Sequence, residues 1–358
     1  MKFDEFGLER WLLREAEIDL GGGGVSKLTL GDLVEGLDLD QQLKYGRTDG
    51  SDHMKGLVAE WYGVEPGQVL ITSGTSEANL LVNLSLLEPG DGYVTEVPMY
   101  EQTVGVARAL GCRIGEFHLL EENRWRPDLE ELKEAVSSGT RIVFLDNPQN
   151  PTGALLEHAE LRAICEIAGD AGAWVHCDNA LRGSEMDGVP GLVPFPEWER
   201  SVVTGSVSKL GATSPRIGWV VGPEELVERC WVAKDYTTLG HSGLGEVLAG
   251  RVLGMRGELV ERNLAYSRAS LKILGKWVGN NPHLSWVEPK AGFTGFPAYD
   301  YDIGSVELCE GLLREEGVLL SPGAFFGVEG HLRICTGVPA DALEKGLRRV
   351  DAFMGQLG

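Results

Sequence analysis

Arg141-Ile142-Val143-Phe144-Leu145-Asp146-Asn147-Pro148-Gln149-Asn150-Pro151-Thr152-Gly153 passes from an apolar run into a loop stiffened by two prolines, and a helical pattern follows at Leu155–Ala168. The order of run, polar loop and amphipathic segment recurs along the chain. Apolar runs bounded by turn residues stand at Val69–Thr72, Gly92–Val97, Ala173–Asp178, Ser201–Ser206 and Ile217–Gly222, with helical patterns such as Glu77–Leu87 and Leu129–Val136 between them. This alternation predicts an α/β fold, a mainly parallel sheet covered by helices on both faces. The polar motifs fall just past the predicted strands, at the carboxyl edge where open α/β sheets bind ligands.

At 358 residues the chain exceeds one ordinary core, which predicts a large domain with a smaller one beside it. After Gly240 the pattern is helical to about Trp277. Short strands are then expected in Pro289–Pro297, Gly317–Leu320 and His331–Thr336, with a closing helix near Ala340–Phe353. Leu8–Glu17 reads as a short amphipathic helix through Leu8, Trp11 and Leu12, and Gly21–Gly24 as a break of the kind a hinge makes. The expected division is an arm over 1–40 packing with the small domain, a large domain over 41–245 and a small α+β domain over 246–358.

A net charge of -22 disfavours nucleic acid and anionic membranes as partners, since both demand a basic surface. No segment reaches the ~20 apolar residues of a membrane span, and Asp4, Glu5, Glu9, Glu15 and Glu17 interrupt what would be a signal peptide. Six scattered cysteines, without a CxxC pair or a histidine cluster, predict neither disulfide nor metal. The reading is a cytoplasmic protein.

The chemistry-bearing residues form one ordered set. Lys209, in Ser206-Val207-Ser208-Lys209, follows a buried strand and precedes Arg216; its amine can form an imine with an aldehyde once desolvation and nearby cations make it neutral. Asp178 ends a strand and needs a cationic partner, which the N–H of a protonated pyridine supplies; a helix cap is the alternative. Asn150 offers an amide donor to a phenolate oxygen. Thr72-Ser73-Gly74-Thr75-Ser76-Glu77 joins a strand to a helix as an anion site would, although Ser76 and Glu77 serve equally as a cap. Ser206, Ser208 and Arg216 extend that anion site. Tyr100 can lie against a flat ring, and Arg333 can clamp a carboxylate. Together they describe a pyridoxal 5'-phosphate (PLP) site.

These residues, in this order, resemble the fold-type I, class I/II aminotransferase superfamily over nearly the whole chain. The resemblance implies a seven-stranded, mainly parallel sheet in the large domain. It also implies that Ser73, Gly74, Thr75, Ser206 and Arg216 hold the phosphate, Tyr100 stacks on the ring, and Asn150 binds the phenolate. Asp178 would bind the ring nitrogen, Lys209 the aldehyde, and Arg333, with Asn150 beside it, the substrate carboxylate. Tyr45, in Tyr45-Gly46-Arg47-Thr48-Asp49-Gly50, resembles the residue that reaches a neighbouring subunit's phosphate, which implies a homodimer with shared active sites. One position departs from the pattern: Leu181 stands where a tyrosine usually donates to the phenolate oxygen.

The expected activity is transamination between an L-amino acid and a 2-oxo acid. Leu8-Glu9-Arg10-Trp11, Leu30-Gly31-Asp32-Leu33, Asp235-Tyr236-Thr237-Thr238, Phe293-Thr294-Gly295-Phe296-Pro297 and Ser321-Pro322-Gly323 resemble a narrower group, capreomycidine synthase and the related arginine-modifying PLP enzymes. That resemblance implies a cyclase, lyase or oxygen-dependent oxidase as the alternative. Glu15, Glu17 and Arg47 are then candidates to meet the substrate side chain. A ligand-sensing regulator would need a basic DNA-binding module, which the acidic composition does not supply.

Overall fold

Gly92–Val97 and Ser201–Ser206 are buried at every residue, as strands covered on both faces must be. They belong to a sheet of eight strands in the computed structural model, which describes residues 2–25, 27–35, 37–38, 40, 42 and 46–357. In chain order these are β1 (Val69–Thr72), β2 (Gly92–Val97), β3 (Arg113–Leu120), β4 (Arg126–Pro127), β5 (Thr140–Asp146), β6 (Trp174–Asp178), β7 (Ser201–Ser206) and β8 (Gly218–Val221). Their order across the sheet is β1-β8-β7-β6-β5-β2-β3-β4. Only β8 and β4 run against the rest.

The two-residue β4 adds one strand to the seven expected. The longer β3 has no counterpart among the apolar runs of the sequence, because it lies near the sheet edge. Most of its residues are half-buried or exposed, and the polar positions break the run. Helix boundaries shift for a local reason too. The segment read as helical from Leu155 begins at His158, where Glu157 and Glu160 form a reciprocal capping box.

Alternate residues of β5 enter different cores, as the period of two requires. Ile142 and Phe144 pack with Leu81, Val82 and Val104 on one face; Val143 and Leu145 pack with Leu161 and Ile164 on the other. A further core gathers Leu308, Leu312, Leu343, Leu347 and Val350 with Trp11, Ile18 and Leu20. The N-terminal segment is stitched there by pairing of Ile18–Asp19 with Val318–Leu319 and by Trp11 Nε1 donating to Leu320 O at 2.7 Å. Its helix is only Gly7–Trp11, with Leu8 in a core of the large sheet and Trp11 in the C-terminal one. The helix Arg256–Asn280 likewise runs from Leu259 in the first to Leu274 and Trp277 in the second. No helix among the described residues is long and apolar enough to cross a membrane.

Candidate active site

Three strands deliver side chains to one cavity of about 390 Å³. Asp146 ends β5, Asp178 ends β6 and Ser206 ends β7; Asn150, Lys209 and Arg216 follow in the loops, and Thr75, Tyr100 and Arg333 complete the wall. The volume suits a small cofactor with its substrate.

Asp178 lies deep in this cavity. One carboxylate oxygen accepts from Asn79 Nδ2 at 2.8 Å and the other from the backbone N–H of Ala180 at 2.8 Å. The second bond closes a local turn, and no helix begins there among the described residues, so Asp178 is not a helix cap. Burial raises its pKa, an effect that the two donors and Lys209 partly offset. Lys209 sits on the single turn Ser208–Leu210, and its Nζ donates to the carbonyl of Gly23 at 2.6 Å. Burial, then the positive charges of Arg333 and Lys27, lower the amine to about 8. The expected desolvation is therefore present, but the cations that act are Arg333 and Lys27 rather than Arg216.

Arg333 is buried, and burial lowers it to about 10, which leaves it charged at neutral pH. Its Nη2 donates to Gly21 O at 2.8 Å and to Ser321 Oγ at 3.4 Å, and the guanidinium lies 4.8 Å above the Phe326 ring. Among the described residues no carboxylate forms an ion pair with it. A buried cation held only by dipoles and a π face is short of an anion. Nη1 donates to Asn150 Oδ1 at 3.3 Å, which commits the oxygen end of that amide and leaves the Nδ2 end to donate elsewhere.

The anion cradle is built at the β1 end. Gly74 has φ +86, and a Cβ there would stand 2.5 Å from Arg216 Nη2, so glycine alone lets the arginine close over the loop. The Arg216 guanidinium makes no hydrogen bond or ion pair among the described residues, and only the backbone N–H of this residue is bonded, to Thr213 O. Thr75 Oγ1 is buried with no partner, at the start of the helix Thr75–Leu86. An unsatisfied hydroxyl, free helix N–H groups and an unpaired guanidinium fit a phosphate. Ser208 lines the cavity beside Ser206, whose Oγ accepts from the Ser208 N–H at 3.3 Å.

Ser73 departs from expectation. Its side chain lines a neighbouring groove, its N–H donates to Glu77 Oε2 at 2.5 Å, and Ser76 takes its place on the cavity wall. Glu77 also accepts from the hydroxyls of Thr237 and Thr238, so it braces the loop in addition to capping the helix. Glu15 and Glu17 lie elsewhere, in an exposed groove beside Arg349, and Arg47 pairs with Asp49. Tyr45 falls outside the described residues.

Other contributors were not singled out in the sequence. Asn79 Oδ1 accepts from Thr204 at 2.6 Å, and its amide reaches both Asp178 and Gln102. The available signal was an amide on the helix face that must be buried. Glu9 accepts from the Tyr100 hydroxyl at 2.6 Å, while Phe6 meets the Tyr100 ring edge-on at 5.1 Å. Gly21–Gly24, read as a hinge or connector, also turns two carbonyls onto Arg333 and Lys209.

Residues 32–350 match the model of the aminotransferase class I and II family. The chain belongs to that family. It is 31% identical to capreomycidine synthase of Streptomyces vinaceus over 97% of its own length and 93% of that protein's. Among solved structures, a PLP-dependent aminotransferase from Streptococcus suis 89-1591 superposes with a TM-score of 0.94 at 31% identity, covering 100% of this chain and 99% of that one. The PLP-dependent cyclase OrfR superposes with a TM-score of 0.91 at 27% identity, over the same shares. Family members are PLP-dependent enzymes, and the orphaned hydroxyl, the glycine cradle and the unpaired arginines collected here fit that cofactor.

Proposed function

We propose that this protein is a PLP-dependent aminotransferase that exchanges the amino group of an L-amino acid with a 2-oxo acid. The observation that carries the reading is a lysine amine lowered to about 8, sharing one cavity with a buried arginine that lacks an anion. When bound, the cofactor supplies a carbonyl for the amino group and a ring that withdraws electrons from the substrate Cα.

The chain's own residues do the rest. Thr75, Ser206, Ser208, Arg216 and the helix N-terminus hold the phosphate, and Tyr100 covers the ring. Asp178 keeps a proton on the ring nitrogen, fixed in place by Asn79 and Ala180 N–H. Arg333 takes the substrate α-carboxylate, and its bond to Asn150 aims the amide at the phenolate oxygen. Lys209 Nζ removes the Cα proton and returns it on the other side of the C–N bond. In this reading residues 41–245 bind the cofactor, 246–358 with the arm 1–40 close the substrate side, and two chains pair with shared sites.

A second reading rests on Leu181, whose side chain packs against Val25 and Phe293 and cannot donate a hydrogen bond. With the likeness to capreomycidine synthase and OrfR, it favours a cyclase, lyase or oxidase acting on arginine-like substrates. The cavity offers the carboxyl of Glu9 to such a side chain. A panel of the twenty amino acids with 2-oxoglutarate, with oxygen uptake recorded alongside, separates the two. Amino transfer without oxygen uptake or elimination supports the first reading; oxygen uptake or cyclised product from an arginine-like substrate, without amino transfer, overturns it.

A further inference from the structure

Asp178 is not alone among acids at this edge of the sheet. Asp146, the last residue of β5, pairs in register with Asp178 across β5–β6, and Glu96 is the penultimate residue of β2 on the other side of β5. Glu96 and Asp146 are 2% and 6% exposed. Glu96 Oε1 accepts from the N–H of Asp146 at 2.9 Å and from Gln149 Nε2 at 3.3 Å, and the N–H of Asn150 faces the Asp146 carboxyl. Neither acid has an ion-pair partner among the described residues. Three carboxyls on adjacent strands, two of them buried and Asp178 half-buried, without a cation between them, cannot all ionise at neutral pH.

We propose that Glu96 and Asp146 form a buried acid pair that keeps its protons at neutral pH, leaving Asp178 the only anion beneath the cofactor ring. The inference rests on the PLP site described above. Asp146 lines the cavity between Asp178, assigned to the ring nitrogen, and Asn150, assigned to the phenolate oxygen. A neutral acid can stand there without competing with Asp178 for the ring proton or repelling the anionic cofactor.

Burial pushes Glu96 up to about 8, and burial with the charges of Asp178 and Glu96 holds Asp146 well above the carboxylate range. The other titratable groups facing the pair are Tyr93 on β2 and Cys177 and Asp178 on β6. Burial keeps Tyr93 and Cys177 neutral. Lys209, from the loop after β7, acts on Asp178, and Tyr100, from the loop after β2, faces the same carboxylate. Both carboxyls are therefore held protonated at neutral pH, and Glu96 gains its charge as pH passes about 8.

Titrating apoenzyme with PLP by tryptophan fluorescence, from about pH 6 to about pH 10, tests this with wild type and Glu96→Gln, which removes the carboxyl that titrates near 8 and lies outside the cavity wall. Glutamine mimics the neutral acid, so the two dissociation constants should agree within ~3-fold near neutrality. Toward alkaline pH wild type should weaken at least ~10-fold more than the variant, since a like charge then stands against the anionic cofactor. Lys209 titrates in both proteins and cancels in the comparison. Parallel pH profiles would overturn the proposal. Infrared spectra of wild-type apoenzyme give a second measure that does not depend on a variant folding. A protonated-carboxyl stretch should be present at neutral pH and fade as pH rises past about 8, and its absence at neutral pH also overturns the proposal. If PLP fails to bind wild type at all, the functional reading falls, while the infrared result still decides the acid pair.

Discussion

The floor and the roof of the cavity are built by different means. On the floor Asp178, Asn150, Ser206 and Lys209 each stand at or within four residues of a strand end, so regular hydrogen bonding of the sheet fixes their backbone. Across the roof the contacts join residues far apart in sequence: Gly23 O to Lys209, Gly21 O to Arg333, Glu9 to Tyr100. In the proposed function the floor supplies the reacting side chains, whereas the roof presents mostly backbone oxygens that hold cations in place. Loss of a floor residue should remove a chemical step, and a change in the roof should mainly alter how well the substrate is held.

Lys209→Ala should give the largest effect, a loss of at least ~10^4-fold in turnover, the upper end of what a positioned acid–base contributes. Borohydride should then no longer fix the cofactor covalently to the chain; continued covalent fixation would assign the role to another amine. Asp178→Ala removes a buried charge-assisted pair of about 3–5 kcal/mol, so turnover should fall by two or more powers of ten while cofactor still binds, weakly. Activity within about tenfold of wild type would reduce Asp178 to a turn-forming residue.

Arg333 spans floor and roof. Arg333→Ala should raise KM for amino acids by about 10–100-fold through loss of the carboxylate clamp, and a substrate amine lacking the carboxylate serves as control. If both substrates weaken equally, the residue acts by packing on Phe326 and Ser321. The roof itself is probed by Gly23→Ala, whose Cβ would stand 3.3 Å from Arg333 Nη1. A shift of a few tenths of an ångström relieves that contact, so KM should rise only about 2–5-fold with cofactor affinity unchanged. A loss of cofactor binding would place Gly23 in the floor's task instead.

The smallest effect concerns Lys27. Because Lys209 is lowered to about 8, capture of PLP by apoenzyme should be slow at low pH and rise to a plateau as the amine loses its proton, with a midpoint near that value. Lys27→Met removes one of the positive charges that lower it, so the midpoint should move upward by a few tenths of a unit. A downward or absent shift in stopped-flow rates would show that burial and Arg333 act alone.

The same contrast explains what the sequence made legible. A strand followed by a polar loop announces the floor, and Asp178, Asn150 and Lys209 could be placed from that grammar. Ser73 was expected on the cavity wall, but the chain turns at the positive-φ Gly74, leaving Ser73 on the neighbouring groove while Thr75 and Ser76 line the cavity. Asn79 was hidden inside a helical pattern whose apolar residues dominate, even though Asn83 is buried on the same helix. Gly21–Gly24 has no side chain to advertise a role. Its function lies in carbonyls whose direction depends on the pairing of Ile18–Asp19 with a strand about 300 residues away. Asp146 and Glu96 looked like ordinary residues of apolar runs, and only strand register brings them together.

The stitching of the N-terminal segment to the far end of the chain also sets an order of assembly. Trp11, Ile18 and Leu20 bury among Leu308, Leu320 and Leu343, and Trp11 is bonded 309 residues ahead of itself. At a synthesis rate of ~5–20 residues per second, those first residues wait roughly 15–60 s before their partners leave the ribosome. The sheet and its floor can form during that interval, whereas the carbonyls that restrain Lys209 and Arg333 arrive last. A stalled chain ending before Ser305 should therefore show a folded sheet but a protease-sensitive segment through Gly24, and a protected segment there would contradict this order. A nascent chain of this design exposes Lys209 before the contact that holds it is docked.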